Sequence, residues 1–245
     1  MATSPSPSMN KNAPSISSQY FISPDVQEQV AAAVFQILNE DGGRIGTGVF
    51  FTEKLAVTST HCLSAKQQQG EESVRIVQKE EEFDVRVVAS DSESDCAILE
   101  LPPHQPDRPY LHSWERDETK LRGHNEFVVA SFRVGFDPYP TQLGFAKAPI
   151  SVVSSDVKHI MYCCATFAGG SGAPIVHKDG GLLGFHRCTA NTARQITEML
   201  REPTLDTCVT VVDNSQTHGC EQMCYGLLMS EVKKLRDSIL KTRRS

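Results

Sequence analysis

His61, Asp95 and Ser171 are the residues of this chain whose types and settings could together do nucleophilic chemistry. An imidazole can take a proton from a hydroxyl, a carboxylate can orient the imidazole, and the freed oxygen can attack an electrophilic carbon. His61 ends the apolar segment Leu55-Ala56-Val57-Thr58-Ser59-Thr60-His61-Cys62, and Asp95 heads Asp95-Cys96-Ala97-Ile98-Leu99. Ser171 lies among glycines in Ala168-Gly169-Gly170-Ser171-Gly172-Ala173-Pro174, a loop able to turn several N–H groups toward one point. Taken singly, each has a plain structural reading: a core histidine, a turn aspartate, a glycine-rich turn. In the order His, Asp, Ser they are far more specific than their sum. Asp91 and Glu93 are the competing acids, and Asp95 is preferred because it directly precedes the Ala-Ile-Leu run.

The elements that must carry these groups are short and rich in Val, Ile and Phe. Strand-length segments fall at 34–38, 45–51, 55–59, 74–77, 85–89 and 97–101, each bounded by turn residues. The stretch 102–109 holds four prolines, and the charged stretch 114–126 continues the break without clear periodicity. A second set of strands is expected at 127–132, 141–146, 159–166, 174–177 and 182–186. This pattern predicts an all-β barrel or sandwich. Residues 191–201 look helical but stand between strands, and read as an inserted excursion. Ser23, Pro24 and Asp25 suggest a short helical turn, and Val232, Leu235 and Ile239, three and four apart, predict a C-terminal amphipathic helix over 230–242. The expected organisation is a disordered Ser/Pro/Asn-rich tail (1–24), a first barrel with His61 and Asp95 (25–112), a linker (113–126), and a second barrel with Ser171 plus the helix (127–245).

Composition excludes several classes. At 245 residues the chain makes one sizeable domain or two small ones in one body. Its apolar runs fall far short of the roughly 20 residues a membrane-spanning helix needs. A net charge of -6 has the wrong sign for generic binding to nucleic acid phosphates. The N-terminus lacks a basic start followed by an apolar core of about 7 to 15 residues, and no arginine precedes Arg44, so neither a secretory signal nor a transit peptide is expected. With eight cysteines, two of them adjacent at Cys163 and Cys164, reduced thiols and a cytoplasmic protein are expected. Cys208, His218, Cys220 and Cys224 match no standard zinc spacing, and neither metal nor cofactor is expected.

Through Gly46-Thr47-Gly48-Val49-Phe50 to His61-Cys62, then Asp95 to Leu99, then Gly169 to Pro174, the sequence resembles the chymotrypsin-like serine protease superfamily over roughly residues 30–242. The resemblance implies two six-stranded antiparallel barrels with the active site between them, closed by a C-terminal helix. It implies Ser171 as nucleophile, His61 as general base and then acid, Asp95 as the orienting acid, and the N–H groups of Gly169 and Ser171 as oxyanion hole. Gly170 stands where activated zymogens carry an acid, and no cysteine in 34–55 can pair with Cys62. The first departure implies no zymogen switch of that kind, the second makes the chain similar to intracellular, HtrA-like members, and with 74 residues after Ser171 (245 minus 171) no further domain is expected.

Thr166, five before Ser171, and His186, fifteen after, are similar to the pair in glutamyl endopeptidases and picornavirus-type proteases. A hydroxyl and an imidazole can both donate to the side-chain oxygen of Glu or Gln before the scissile bond. Ala165, where trypsin-like members place an acid, argues against a basic preference, while a core-bonded His186 is the plain alternative. The sequence therefore predicts a serine endopeptidase acting on protein or peptide substrates through an acyl-enzyme, with no role for nucleic acid or membrane. The competing reading is a catalytically silent protease-fold module that holds peptides or serves as a scaffold.

Overall fold

The computed structural model describes residues 22–115, 117–118, 121, 126–133, 142–154, 158–164, 169–189 and 222–242. The helix expected over 191–201, Thr166, Cys208, His218, Cys220 and the tail through residue 21 lie outside the described residues. Among those described, no helix is long and apolar enough to cross a membrane.

Helix α1 (Pro24–Ala33) starts where its caps dictate. Ser23 Oγ accepts from Val26 N, and Pro24 takes a first-turn position where its missing N–H costs nothing. It runs for 10 residues, longer than the single turn expected, because Val30 and Ala33 are fully buried beneath it. Six strands follow: β1 (Val34–Leu38), β2 (Arg44–Phe50), β3 (Leu55–Thr58), β4 (Val74–Gln78), β5 (Glu81–Asp91) and β6 (Cys96–Glu100). They close an antiparallel barrel in the order β1-β2-β3-β6-β5-β4. Burial alternates along β4 and the first half of β5, whereas β1, β3 and β6 are buried on both faces. The period of two explains the division: Phe35, Ala56, Ala97 and Leu99 fill the barrel, while Val34, Val57 and Ile98 point outward into a second core.

That second core lies between the barrel and a sheet of seven strands: β7 (Phe127–Arg133), β8 (Gln142–Lys147), β9 (Ile150–Val153), β10 (His159–Cys164), β11 (Pro174–His177), β12 (Leu182–Thr189) and β13 (Gln222–Leu228). Their order is β8-β7-β11-β12-β13-β10-β9, antiparallel throughout. Six strands were expected, and the seventh has a local cause. Pro149 has no N–H and restricts Ala148, so one strand breaks into β8, paired with β7, and β9, paired with β10. The two ends of the sheet are thus consecutive in the chain, and the sheet curls as a half-barrel without closing its ladder. Strands β9 and β13 were not anticipated from the sequence. Helix α3 (Met229–Thr242), with the four-residue turn α2 (Ala65–Gln68) preceding it in the chain, buries Val232 and packs against both β5 and β6 and β12 and β13, strapping the halves together.

Cys62 is a thiol outside any disulfide, its Sγ donating to Ser171 O at 3.9 Å, and β2 passes close beside it. A Cβ built on Gly46 would lie 2.7 Å from Cys62 Sγ and 3.1 Å from its Cβ. A disulfide wants about 3.8 Å between Cβ atoms, about 0.7 Å more than this backbone offers, so the two segments must part slightly to accept it. Gly46→Cys is therefore expected to bridge to Cys62 on mild oxidation, closing a loop of about 16 residues and stabilising the fold by ~3 kcal/mol. Thiol titration of the denatured protein with thermal melting checks this; a variant that loses no more thiols than the wild-type chain does on the same oxidation would refute it.

Candidate active site

Strand pairing brings His61 and Asp95 to one end of the first barrel. Thr58 on β3 faces Ala97 on β6. In an antiparallel pair, three residues beyond Thr58 and two before Ala97 lead off the same end, and Thr60 N extends the ladder to Asp95 O at 3.3 Å. The chain there makes a single 3-10 turn, Thr60–Cys62, which turns His61 outward. Asp95 closes the β5–β6 turn with φ +54°, a left-handed conformation that aspartate tolerates better than most residues.

Asp95 engages His61 through both carboxylate oxygens, one on its backbone and one on its ring. Asp95 Oδ1 accepts the His61 backbone N–H at 3.0 Å, and Oδ2 lies 2.8 Å from His61 Nδ1. His61 is 38% exposed and Asp95 13%, so the imidazole keeps an open edge while the carboxylate is covered. Burial disfavours the imidazolium, but the Asp95 hydrogen bond and the adjacent Cys62 outweigh it, and the pKa of His61 is pushed up to about 10. Asp91, the competing acid, is occupied elsewhere: its carboxylate accepts from Ser94 Oγ at 2.6 Å and Glu93 N at 3.1 Å.

Ser171 comes from the other half, in the turn before β11, and backbone bonds sew that turn onto β2. Thr47 N donates to Ser171 O at 2.8 Å and Thr47 Oγ1 to Gly169 O at 2.7 Å. Ala173 N donates to Gly170 O at 2.9 Å. In a trans peptide the C=O and N–H point opposite ways, so the Ser171 N–H is turned out of that tight turn. Gly169 has φ +86°, open to glycine at no cost. The Ser171 hydroxyl makes no hydrogen bond to His61 among the described residues. Such bonds are often long before substrate arrives.

His186 on β12 adjoins the Ser171 turn: Gly172 N donates to His186 O and His186 N to Ala173 O, both at 2.8 Å. Its side chain is buried, and Nδ1 lies 2.7 Å from Tyr162 Oη. Burial first, then the neighbouring His61, pulls its pKa down to about 4, so it is uncharged at neutral pH. Burial likewise holds the Tyr162 hydroxyl protonated. Sequence reasoning did not find Tyr162; the inward-facing alternation of β10 was its signal, since a buried tyrosine must partner its hydroxyl. Arg187, also missed, places Nε 3.6 Å from Asp95 Oδ2. Thr166 lies outside the described residues, so the expected Thr166 and His186 pair is seen only through His186. A cavity of about 590 Å³, walled by Glu40, Asp41, Ile45 and Glu72, meets this region only at Cys62 and holds none of the three candidate catalytic residues.

The fold has known counterparts. A serine endoprotease from Yersinia pestis superposes with a TM-score of 0.60 at 15% identity, covering 88% of this chain. This chain spans 65% of that protein's length. Rv3671c from M. tuberculosis, solved as an inactive Ser-to-Ala mutant, superposes with a TM-score of 0.58 at 18% identity over 90% of this chain and 93% of that one. At such identities the likeness is one of fold. No curated protein matches the chain. The family model for the trypsin-like peptidase domain matches residues 46–185. That match runs from the β2 glycines past His61, Asp95 and Ser171 to the residue before His186, more than half of the chain, and the protein belongs to the trypsin-like peptidase family.

Proposed function

We propose that the protein is a serine endopeptidase that uses Ser171, His61 and Asp95 and cleaves after Gln or Glu. The observation that carries this reading is the two-point grip of Asp95 on His61, beside a serine turn bonded to the same barrel. A carboxylate on Nδ1 keeps the proton there and leaves Nε2 free to take one from Ser171 Oγ. The serine oxygen then attacks the substrate carbonyl, and the N–H groups of Gly169 and Ser171 receive the charge that develops on the carbonyl oxygen. His61 returns the proton to the leaving amine, an ester on Ser171 remains, and a water deprotonated by His61 hydrolyses it.

The Gln or Glu preference rests on His186. When the Tyr162 hydroxyl donates to Nδ1, the proton of neutral His186 is on Nε2, a donor without charge. Such a donor suits the amide oxygen of Gln better than a Glu carboxylate. Two measurements test the reading: reaction of the purified protein with a fluorophosphonate probe, with the labelled residue mapped, and cleavage of a mixed peptide library, each carried from neutral into alkaline pH so that His61 is neutral in part of the range. The expected results are a label on Ser171 and cleavage after Gln ahead of Glu. Cleavage after Lys or Arg would discard the His186 pocket and keep the catalytic set. Neither labelling nor cleavage would bring the silent peptide-binding module to the front.

A further inference from the structure

We infer that Arg187 is a positioning residue that grips Asp95 across the two halves of the molecule and restrains the basicity of His61; this rests on the catalytic reading above. Arg187 owes its place to an irregularity in β12. The β12–β13 register runs His186↔Gly226 and then Cys188↔Tyr225, so Arg187 is the extra residue of a bulge with no partner opposite. A bulge re-aims its side chain. Here it aims the guanidinium away from its own sheet to the first barrel, where Nε lies 3.6 Å from Asp95 Oδ2. That oxygen is the one facing His61 Nδ1, so cation and imidazole share a single carboxylate oxygen.

Arg187 is 21% exposed, and its Nε is buried with no hydrogen-bond partner among the described residues. A buried donor left unpaired costs stability, so packing does not account for an arginine here; its charge does. The titratable and charged groups around His61 are few. Cys62 comes from its own turn and His186 from β12, while Cys96 on β6, with Asp91 beside it, and Cys188 on β12 face Asp95 and Arg187. Burial pushes Cys96 up to about 12 and Cys188 up to about 11, so both stay protonated at neutral pH, and His186 is neutral there. Among the described residues, Arg187 is then the cation that acts on the Asp95 and His61 pair. A cation at Asp95 satisfies part of the carboxylate charge and disfavours a second cation on His61, which eases the imidazole toward the neutral form a base must have.

The test is the His61 pKa, read by NMR of the imidazole in the wild-type protein and in Arg187→Gln and Arg187→Lys, with the pH profile of kcat/KM alongside. Removing the charge is expected to raise the His61 pKa by about half a unit or more, a loss of at least about threefold in rate at any pH on the acid limb, with the alkaline plateau kept. Lys keeps the charge and is expected to restore most of the wild-type value. If Arg187→Gln does not fold, Arg187→Met, of similar reach and without charge, makes the same comparison. An unchanged His61 pKa in a folded, uncharged variant overturns the inference. The NMR reading needs no turnover, so a wild-type protein that hydrolyses nothing yet shows the shift would count against the peptidase reading and leave the Arg187 grip standing.

Discussion

Asp95→Asn is expected to lower kcat by roughly 10⁴ while leaving the fold and KM nearly unchanged. The carboxylate serves two donors at once, the His61 backbone N–H through Oδ1 and the ring through Oδ2. An amide has only one oxygen. If that oxygen keeps the backbone N–H, the Asn NH₂ faces Nδ1, which must then accept, and the ring proton moves to Nε2 where it blocks the base. If the amide flips, its NH₂ opposes the backbone N–H, donor against donor. Asparagine tolerates the φ of +54° at this position, so the loss would be chemical rather than conformational. Ser171→Ala, which removes the proposed nucleophile itself, should cost about 10⁶.

The pH dependence follows with its sign. His61 must be neutral to take a proton, and its pKa stands raised to about 10, burial opposing and Asp95 and Cys62 outweighing it. Wild-type activity should therefore climb from neutral into alkaline pH. In Asp95→Asn the first of the two groups that raise the pKa is gone and Cys62 alone remains, so the residual activity should level off at lower pH. An Asp95→Asn protein of near wild-type rate would move the role to another acid, Glu93 and Asp91 being the competing candidates.

Gly172→Ala is expected to unfold the site rather than adjust it. Gly172 has φ +84°, and a Cβ there would lie 1.9 Å from Thr47 O and 2.5 Å from Thr58 Oγ1. Neither atom can yield alone, because Thr58 Oγ1 donates to Thr47 O at 2.7 Å while Thr47 N holds Ser171 O. The left-handed conformation costs about 1–2 kcal/mol for alanine, and overpacking of this kind adds about 1–3 kcal/mol. For a protein of this size that lowers the melting temperature by about 10 °C. A Ser171 turn displaced by an ångström should lose activity at least about 10²-fold. Gly42→Ala supplies the comparison: φ is +80° but nothing lies within 4 Å of the new Cβ, so only the conformational cost applies. Equal melting temperatures for the two variants would refute the close approach at Thr47.

Much of this was legible along the chain because the signals are local. Strand lengths, β-branched runs, the Ser23 and Pro24 helix start and the face of Val232, Leu235 and Ile239 are all properties of neighbouring residues, and the structure agrees with them to within a few positions. Strand β13 was missed because, Tyr225 apart, its Gln, Met, Cys, Gly and Leu residues carry little strand preference of their own and are recruited by pairing with β10 and β12. Six strands for the second barrel came from the family resemblance, and the strand pattern alone offered five; the break at Pro149 cannot be told from a turn until its two halves are seen against different neighbours.

The same division runs through the site. Residue type and order alone determined which histidine, acid and serine to consider, since those are choices of chemistry made within short segments. Tertiary structure decided which acid reaches the imidazole: Asp95 and Asp91 stand four apart in sequence, and only the β3–β6 register turns Asp95 toward His61 while Ser94 and Glu93 engage Asp91. Tertiary structure also supplied Tyr162 behind His186 and Arg187 against Asp95, contacts spanning 24 and more than 90 positions of chain. No periodicity encodes a contact between two barrels, because its geometry is set by how two separately patterned surfaces pack, and a charge or hydroxyl becomes functional there only once burial has removed water as its alternative partner.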